Sequence, residues 1–229
     1  MMRTLLQSLS AASLFASTAA AQATPVVIAV LPFEDRGSYG QDKEVFRALE
    51  LGIPVVLAAE LGKHPRVRLA DRARVANALK TENLGPNARV DAATAARIGS
   101  PSGARYAVTG NFADFYGKFR IDARLIDVES GNILKVVSNN DPKLQDRADL
   151  SRIIQDLAGK VLAAASLPPA AGTSGGQARS VPTEAVTQYS LGLLYETEGD
   201  KTKAGEHYQR ALSAFPDYTH AREGMQRVR

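Results

Sequence analysis

One stretch limits what this chain can fold into. Residues 165–182 are dominated by Pro, Gly, Ala and Ser and carry no apolar period. Such a composition makes a flexible connector rather than a packed element. It divides the chain into a larger unit, residues 24–164, with length for one hydrophobic core, and a short unit, residues 183–229.

The larger unit alternates between two apolar periods. Residues 26–33 form a β-branched run that reads as a buried strand ended by Pro32. A Gly/Ser/Asp loop follows at 35–42. Across 43–62, Val45, Phe46, Leu49, Ile53, Val56, Leu57 and Leu61 recur at gaps of three and four, the spacing of one helical face. Pro54 falls inside that pattern and predicts a kink or two successive helices. A short strand at 66–70 follows. Asp71 and Asp91 are placed to cap helices over 72–82 and 92–98. Strands are expected at 104–115, 118–128 and 133–138, joined by turns at Tyr116-Gly117 and at 129–132. A helix over 147–164 closes the unit. The order predicts an α/β (α+β) fold, a mixed sheet covered by helices.

The short unit is all-α. Residues 185–218 resemble a tetratricopeptide repeat, whose period is about 34 residues. Leu191, Gly192 and Tyr195 fall on its first helix, Ala204, Tyr208 and Ala211 on its second, and Pro216 closes it. Gly192 and Ala204 permit close helix approach, the two tyrosines fill the gaps, and Gly199-Asp200 turns the chain. Gln188 stands where the repeat usually has a large aromatic. Residues 219–228 begin a capping helix. A single repeat cannot bury its own face. This hairpin must therefore dock on the larger unit, self-associate as a homo-oligomer, or pack on another protein.

The amino terminus carries an address. Met1-Met2-Arg3 is positive, residues 4–16 are mostly apolar or small, and Ala21 and Ala23 fit an A-x-A cleavage site. Residues 1–23 are read as a signal peptide cut after Ala23. No later run approaches the about 20 apolar residues of a membrane helix, so no integral membrane insertion is expected. Cysteine is absent, which excludes disulfides, thiolate chemistry and a lipid-bearing N-terminal cysteine. The 28 basic and 24 acidic residues nearly balance, so composition gives no nucleic-acid footprint.

Five segments of the larger unit, Ile28 to Glu34, Val67 to Arg72, Ala93 to Gly99, Ala104 to Gly110 and Leu125 to Gly131, fall in a familiar order. Together they resemble the periplasmic domain of the curli-secretion CsgG family and are similar to the N-terminal domain of TolB-like proteins. The resemblance implies a periplasmic or envelope location, at most peripheral to the outer membrane, and a role in assembly or secretion through protein contacts. It does not extend to a pore, since Asp114, Arg120, Asp122, Arg124 and Asp127 charge the strands a membrane barrel would need.

Residues that could carry chemistry are few. His64, His207 and His220 have no metal spacing, and no phosphate loop or nucleophile elbow occurs. Glu34-Asp35 follow the first strand, where open α/β sheets often place sites, and form a speculative ligand site weighed against a solvated turn. Lys63, Arg66, Arg68, Arg72 and Arg74 read as an exposed, charge-protected strand edge. The expectation is a non-catalytic envelope protein with no cofactor, binding envelope proteins through its C-terminal hairpin. A ligand-binding sensor and an outer-membrane-associated secretion subunit are the alternatives.

Overall fold

The computed structural model describes residues 24–85, 88–139, 143–168 and 181–229. The expected signal peptide, its cleavage point at Ala23 and residues 169–180 of the expected connector lie outside the described residues. The elements run β1 (Val26–Asp35), α1 (Lys43–Gly62), β2 (Val67–Leu69), α2 (Arg72–Thr81), α3 (Ala92–Gly99), β3 (Tyr106–Phe115), β4 (Lys118–Asp127), β5 (Ile133–Ser138), β6 (Gln145–Asp146), α4 (Leu150–Ala164), α5 (Thr183–Glu198), α6 (Lys201–Ala214) and α7 (Thr219–Val228). The fold is mixed α/β, as the sequence order predicts.

The sheet order is β2-β1-β3-β4-β5, with β6 paired to the start of β4. β1 runs parallel to both its neighbours, while β3, β4 and β5 form an antiparallel meander. Tyr116 and Gly117 turn the β3–β4 hairpin, both at positive φ, the conformation of a two-residue turn that matches strand twist.

Side-chain alternation gives the sheet two faces. On one, Ile28, Phe33, Val108, Phe112, Phe119, Ile121 and Leu125 pack beneath α1 and α4. On the other, Ala29, Leu31, Ala107 and Ile126 meet Val75 and Leu79 of α2 and Ala95 and Ile98 of α3. Asp71 and Asp91 cap α2 and α3 as expected, accepting from the amides of Arg74 and Thr94 at 2.8 Å each.

One expectation at a proline needs correction and a second is narrowed. β1 does not end at Pro32 but continues to Asp35, with a register shift between Val30 and Phe33. The bulge accommodates the residue that cannot donate, and the Pro32 carbonyl accepts from the buried Thr109 hydroxyl at 2.7 Å. Pro54, where a kink or two successive helices are expected, lies inside one continuous helix, which removes the second alternative. Packing on two sides of α1 offsets the hydrogen bond that proline removes.

That second side is where the C-terminal helices sit. Leu51 and Val55 of α1 pack into the cluster of Tyr189, Leu193, Tyr208 and Tyr218, and Ala48 meets Leu191 and Leu194 of α5. Gly52 is the point of closest approach: a Cβ there would lie 1.8 Å from the Ser190 hydroxyl oxygen. Of the three ways the short unit could cover its apolar face, the structure shows docking onto α1. The described ends of the connector are also anchored. Ala165 and Leu167 are buried in the main core, Val181 packs against it, and the buried His64 ring contacts the Pro168 carbonyl at 2.8 Å.

Candidate functional site

The residues following the bulge in β1 are held in the strand rather than in a solvated turn. Glu34 and Asp35 are consecutive on it, so they project to opposite faces and do not form a paired-carboxylate site. Asp35 turns toward α1. Its carboxylate accepts from the Ser38 amide at 2.9 Å and the Ser38 hydroxyl at 2.6 Å, while its own amide donates to Glu50 Oε1 at 3.0 Å. Ser38 Oγ in turn accepts from the Asp114 amide at 2.9 Å. Asp35 thus fixes the loop after β1 onto the end of β3, a structural role for a residue singled out as a ligand.

Asp114, buried on β3, continues this network. It accepts from the Gly117 amide at 2.6 Å and pairs with Arg147 at 3.1 Å, an ion pair without the angles of a hydrogen bond. Arg147 also donates to Asp42 at 2.8 Å and lies over the Phe46 ring. The turn entering α4 is thereby tied to the start of α1.

Glu34 faces the other way, onto the part of the sheet that α2 and α3 leave open. Its Oε2 lies 3.9 Å from Arg36 Nε and 4.0 Å from Arg89 Nε, ion-pair distances too long for hydrogen bonds. Arg124 of β4 belongs to the same cluster. Burial, then the neighbouring charges of Arg36 and Arg89, push its guanidinium below the usual arginine range. Its Nη2 reaches the Val90 carbonyl at 3.3 Å, and its buried Nε has no hydrogen-bond partner among the described residues. Arg36 lies two residues from Glu34 in sequence, whereas Arg89 and Arg124 join only through the fold. Among the described residues, no group of three potential metal ligands occurs.

The C-terminal hairpin motif residues are spread over two contacts. Tyr208 of α6 sits between Gly192 of α5 and Gly224 of α7, where added Cβ atoms would come within 2.4 and 2.6 Å of its ring. Its buried hydroxyl donates to Glu196, which Arg227 also clamps through two bonds at 2.7 and 2.9 Å. Burial and that carboxylate raise the phenol's pKa strongly. Ala204 and Ala211 are fully buried between helices, Gly199 turns at positive φ, and the exposed Pro216 follows the end of α6. Leu191, by contrast, faces α1. Tyr195 bonds Glu44 of α1 and stacks on His207 at 5.2 Å between centroids. Gln188, at the usual aromatic position, contacts that same histidine at 2.7 Å. With α1 on one side and α6 on the other, α5 is largely enclosed.

The remaining exposed apolar surface lies at the sheet's rim. β5 is the outermost strand beyond β4, and Ile133, Leu134 and Val136 are 46, 47 and 54% exposed on it. The opposite rim strand, β2, is short and carries Arg68. Tyr39 stacks on Phe115 beside the exposed Tyr116 at the hairpin tip. No described helix is long and apolar enough to cross a membrane.

No protein family model matches this chain, and no curated protein does either. Solved structures do. The LpoB C-terminal domain from Salmonella enterica is similar over 51% of this chain and 82% of its own, at 17% identity and a TM-score of 0.39. TolB from Acinetobacter baumannii is similar over 62% of this chain and 28% of its own, at 20% identity and a TM-score of 0.36. The PelC dodecamer from Paraburkholderia phytofirmans covers 62% of this chain and 88% of its own, at 16% identity and a TM-score of 0.33.

Proposed function

We propose that this chain is an exported envelope protein that works by binding other proteins, in assembly or secretion, and not by catalysis. The observation that carries the reading is the outer edge of β5, on which no further strand pairs among the described residues. Exposed strand edges are ordinarily short, charged or covered, because unpaired amides and carbonyls recruit other strands. Here six residues, Ile133–Ser138, contain one charge, Lys135, and three half-exposed aliphatic side chains. An edge of this kind suits strand addition by a partner, with the aliphatic side chains supplying contact beyond the backbone bonds. The order of charge, apolar stretch and small residues at the amino terminus supports export.

The C-terminal helices have a different part in this reading from the one their motif suggests. Since α5 is enclosed, a partner would meet the outer faces of α6 and α7, and the hairpin's first task is to brace α1. The chemistry-bearing residues have structural partners: Asp35 holds Ser38, His64 contacts Pro168, and His207 contacts Gln188. This supports a binding rather than a catalytic protein.

Photocrosslinking in envelope preparations of the native host tests the proposal. A crosslinker at Val136 should trap one discrete partner that a crosslinker at Lys201 does not. Val136→Glu should abolish that product while leaving the fold unchanged by circular dichroism. If Val136 yields no partner-dependent product, or if Val136→Glu changes nothing, the strand edge is not the working surface and the proposal fails.

A further inference from the structure

The open half of the sheet has a feature that protein docking on β5 does not use. Arg36, Arg89 and Arg124 come from the loop after β1, the segment before α3 and the middle of β4, yet they share one carboxylate, Glu34. Glu34 makes no hydrogen bond to any of them at its 3.9 and 4.0 Å separations. Arg124 is the most constrained of the three. It is half-buried, its Nε is enclosed without a partner among the described residues, and its guanidinium makes one long hydrogen bond there, to the Val90 carbonyl. Asn111 adjoins Glu34 in the sheet register, and its carboxamide has no hydrogen bond among the described residues. Of the nearby acids, Asp122 pairs with Arg120 at 3.0 Å, while Asp91 caps α3 and also opposes the charge of Arg124.

We propose that this basin binds a phosphate-type oxyanion between Arg36, Arg89 and Arg124, with Asn111 at its floor. The argument is charge and donor bookkeeping. Three guanidiniums face two carboxylates, Glu34 and the capping Asp91, so the cluster keeps a net positive charge that an oxyanion would offset. Guanidinium forks suit tetrahedral oxyanions because they donate two parallel hydrogen bonds. Glu34 then acts as the internal competitor that keeps the arginines oriented when the basin holds no ligand. Burial of a guanidinium with an incomplete set of acceptors carries a cost, and the negative charge of an oxyanion beside it would offset part of that cost. The same phosphoryl chemistry is offered by free phosphate and by a phosphomonoester lipid headgroup.

The test uses the full exported chain at constant ionic strength. Titration with inorganic phosphate, followed by calorimetry, reads the free-anion arm. Cosedimentation with phosphatidylcholine vesicles, with and without phosphatidic acid, reads the headgroup arm. Saturable binding in either arm is expected. Arg89→Gln, on the exposed member of the cluster, should weaken it by about tenfold, the value of one lost charge-assisted hydrogen bond. Arg124→Gln should weaken it at least as much, with circular dichroism reporting whether the half-buried position still folds. Glu34→Gln should tighten it, because it removes the competing charge. Binding in neither arm, binding indifferent to Arg89→Gln, or weaker binding in Glu34→Gln would overturn the site.

Discussion

The two faces of the sheet are finished to different standards. Beneath α1 and α4 the apolar pattern runs along most of the strands, from Ile28 through Phe112 to Phe119, all buried, and gives way to Asp35 and Asp114 near the strand ends. α1 is itself covered by α5, so this side is closed two helices deep. Beneath α2 and α3 the pattern stops half-way. Ala29, Leu31, Ala107 and Ile126 are buried there. Farther along the same face, Glu34, Asn111, Asp122 and Arg124 take their places. A face continues to be apolar only where a helix pays the cost of its exposure to water. Where the helices end, the strand positions are released from packing and can carry charge. Stability and candidate chemistry are thus separated by the thickness of one sheet.

Core truncations should break this comparison most visibly. Leu157→Ala on α4 removes a fully buried side chain from the closed side and should cost about 4 kcal/mol in urea unfolding. Leu79→Ala on α2, at the margin of the smaller cluster, should cost about 2 kcal/mol. Equal losses would show that both faces are equally tight. Next comes the junction of α1 with α5. Gly52→Ala drives a Cβ into Ser190 and should cost about 3 kcal/mol, the upper end for overpacking. Combining it with Ser190→Gly removes the obstacle and should restore most of the loss. If the double variant is no better than the single one, the two helices do not meet there.

How much of this was legible in the sequence follows from what each element depends on. The helix caps at Asp71 and Asp91 and the turn at Tyr116-Gly117 are local devices, readable because the side chain and the backbone it serves lie within a few residues. The buried stripe of α1 was readable from its period, but its second contact was not. Leu51 and Val55 lie off the stripe, and only the docking of α5 gives them a purpose. The strand end expected at Pro32 and the two-helix alternative at Pro54 failed for one reason. A local rule gave the cost of Pro32 and Pro54 correctly but could not see the tertiary contacts that offset it. The candidate site was half legible. Glu34 drew attention by its place after a strand, whereas Arg89 and Arg124 reach it only through chain folding. Asp35 drew the same attention for what proved to be a loop tether.

That tether supplies a smaller test. Ser38 links Asp35 to the Asp114 amide, so Ser38→Ala should cost about 1 to 2 kcal/mol. It should do so without altering anion binding on the opposite face, where Glu34 points. An equal effect on both would mean that the two sides of β1 are coupled through the strand.

The smallest effect is in pH, and it again separates the two sides. His220 packs against Tyr189 and Tyr218 in the outer helical layer of the closed side. Burial lowers its pKa first of all, and Glu223 opposes that only in part. The folded imidazole therefore resists a proton that the unfolded chain accepts near its ordinary value of about 6.5. Between the folded and unfolded values the unfolded state holds more protons, so stability rises with pH across that window. The contribution is complete above about pH 6.5 and is lost as pH falls through the folded pKa. His207, also lowered mainly by burial, adds a slope of the same sign. On the open side, the Thr94 amide holds Asp91 below its ordinary carboxylate range, so its contribution is lost only at far lower pH. Urea midpoints should therefore decline in mild acid for the wild type, with a shallower decline in His220→Gln and an unchanged one in Asp91→Asn. A decline that Asp91→Asn flattens and His220→Gln does not would place the acid-sensitive contacts on the open face.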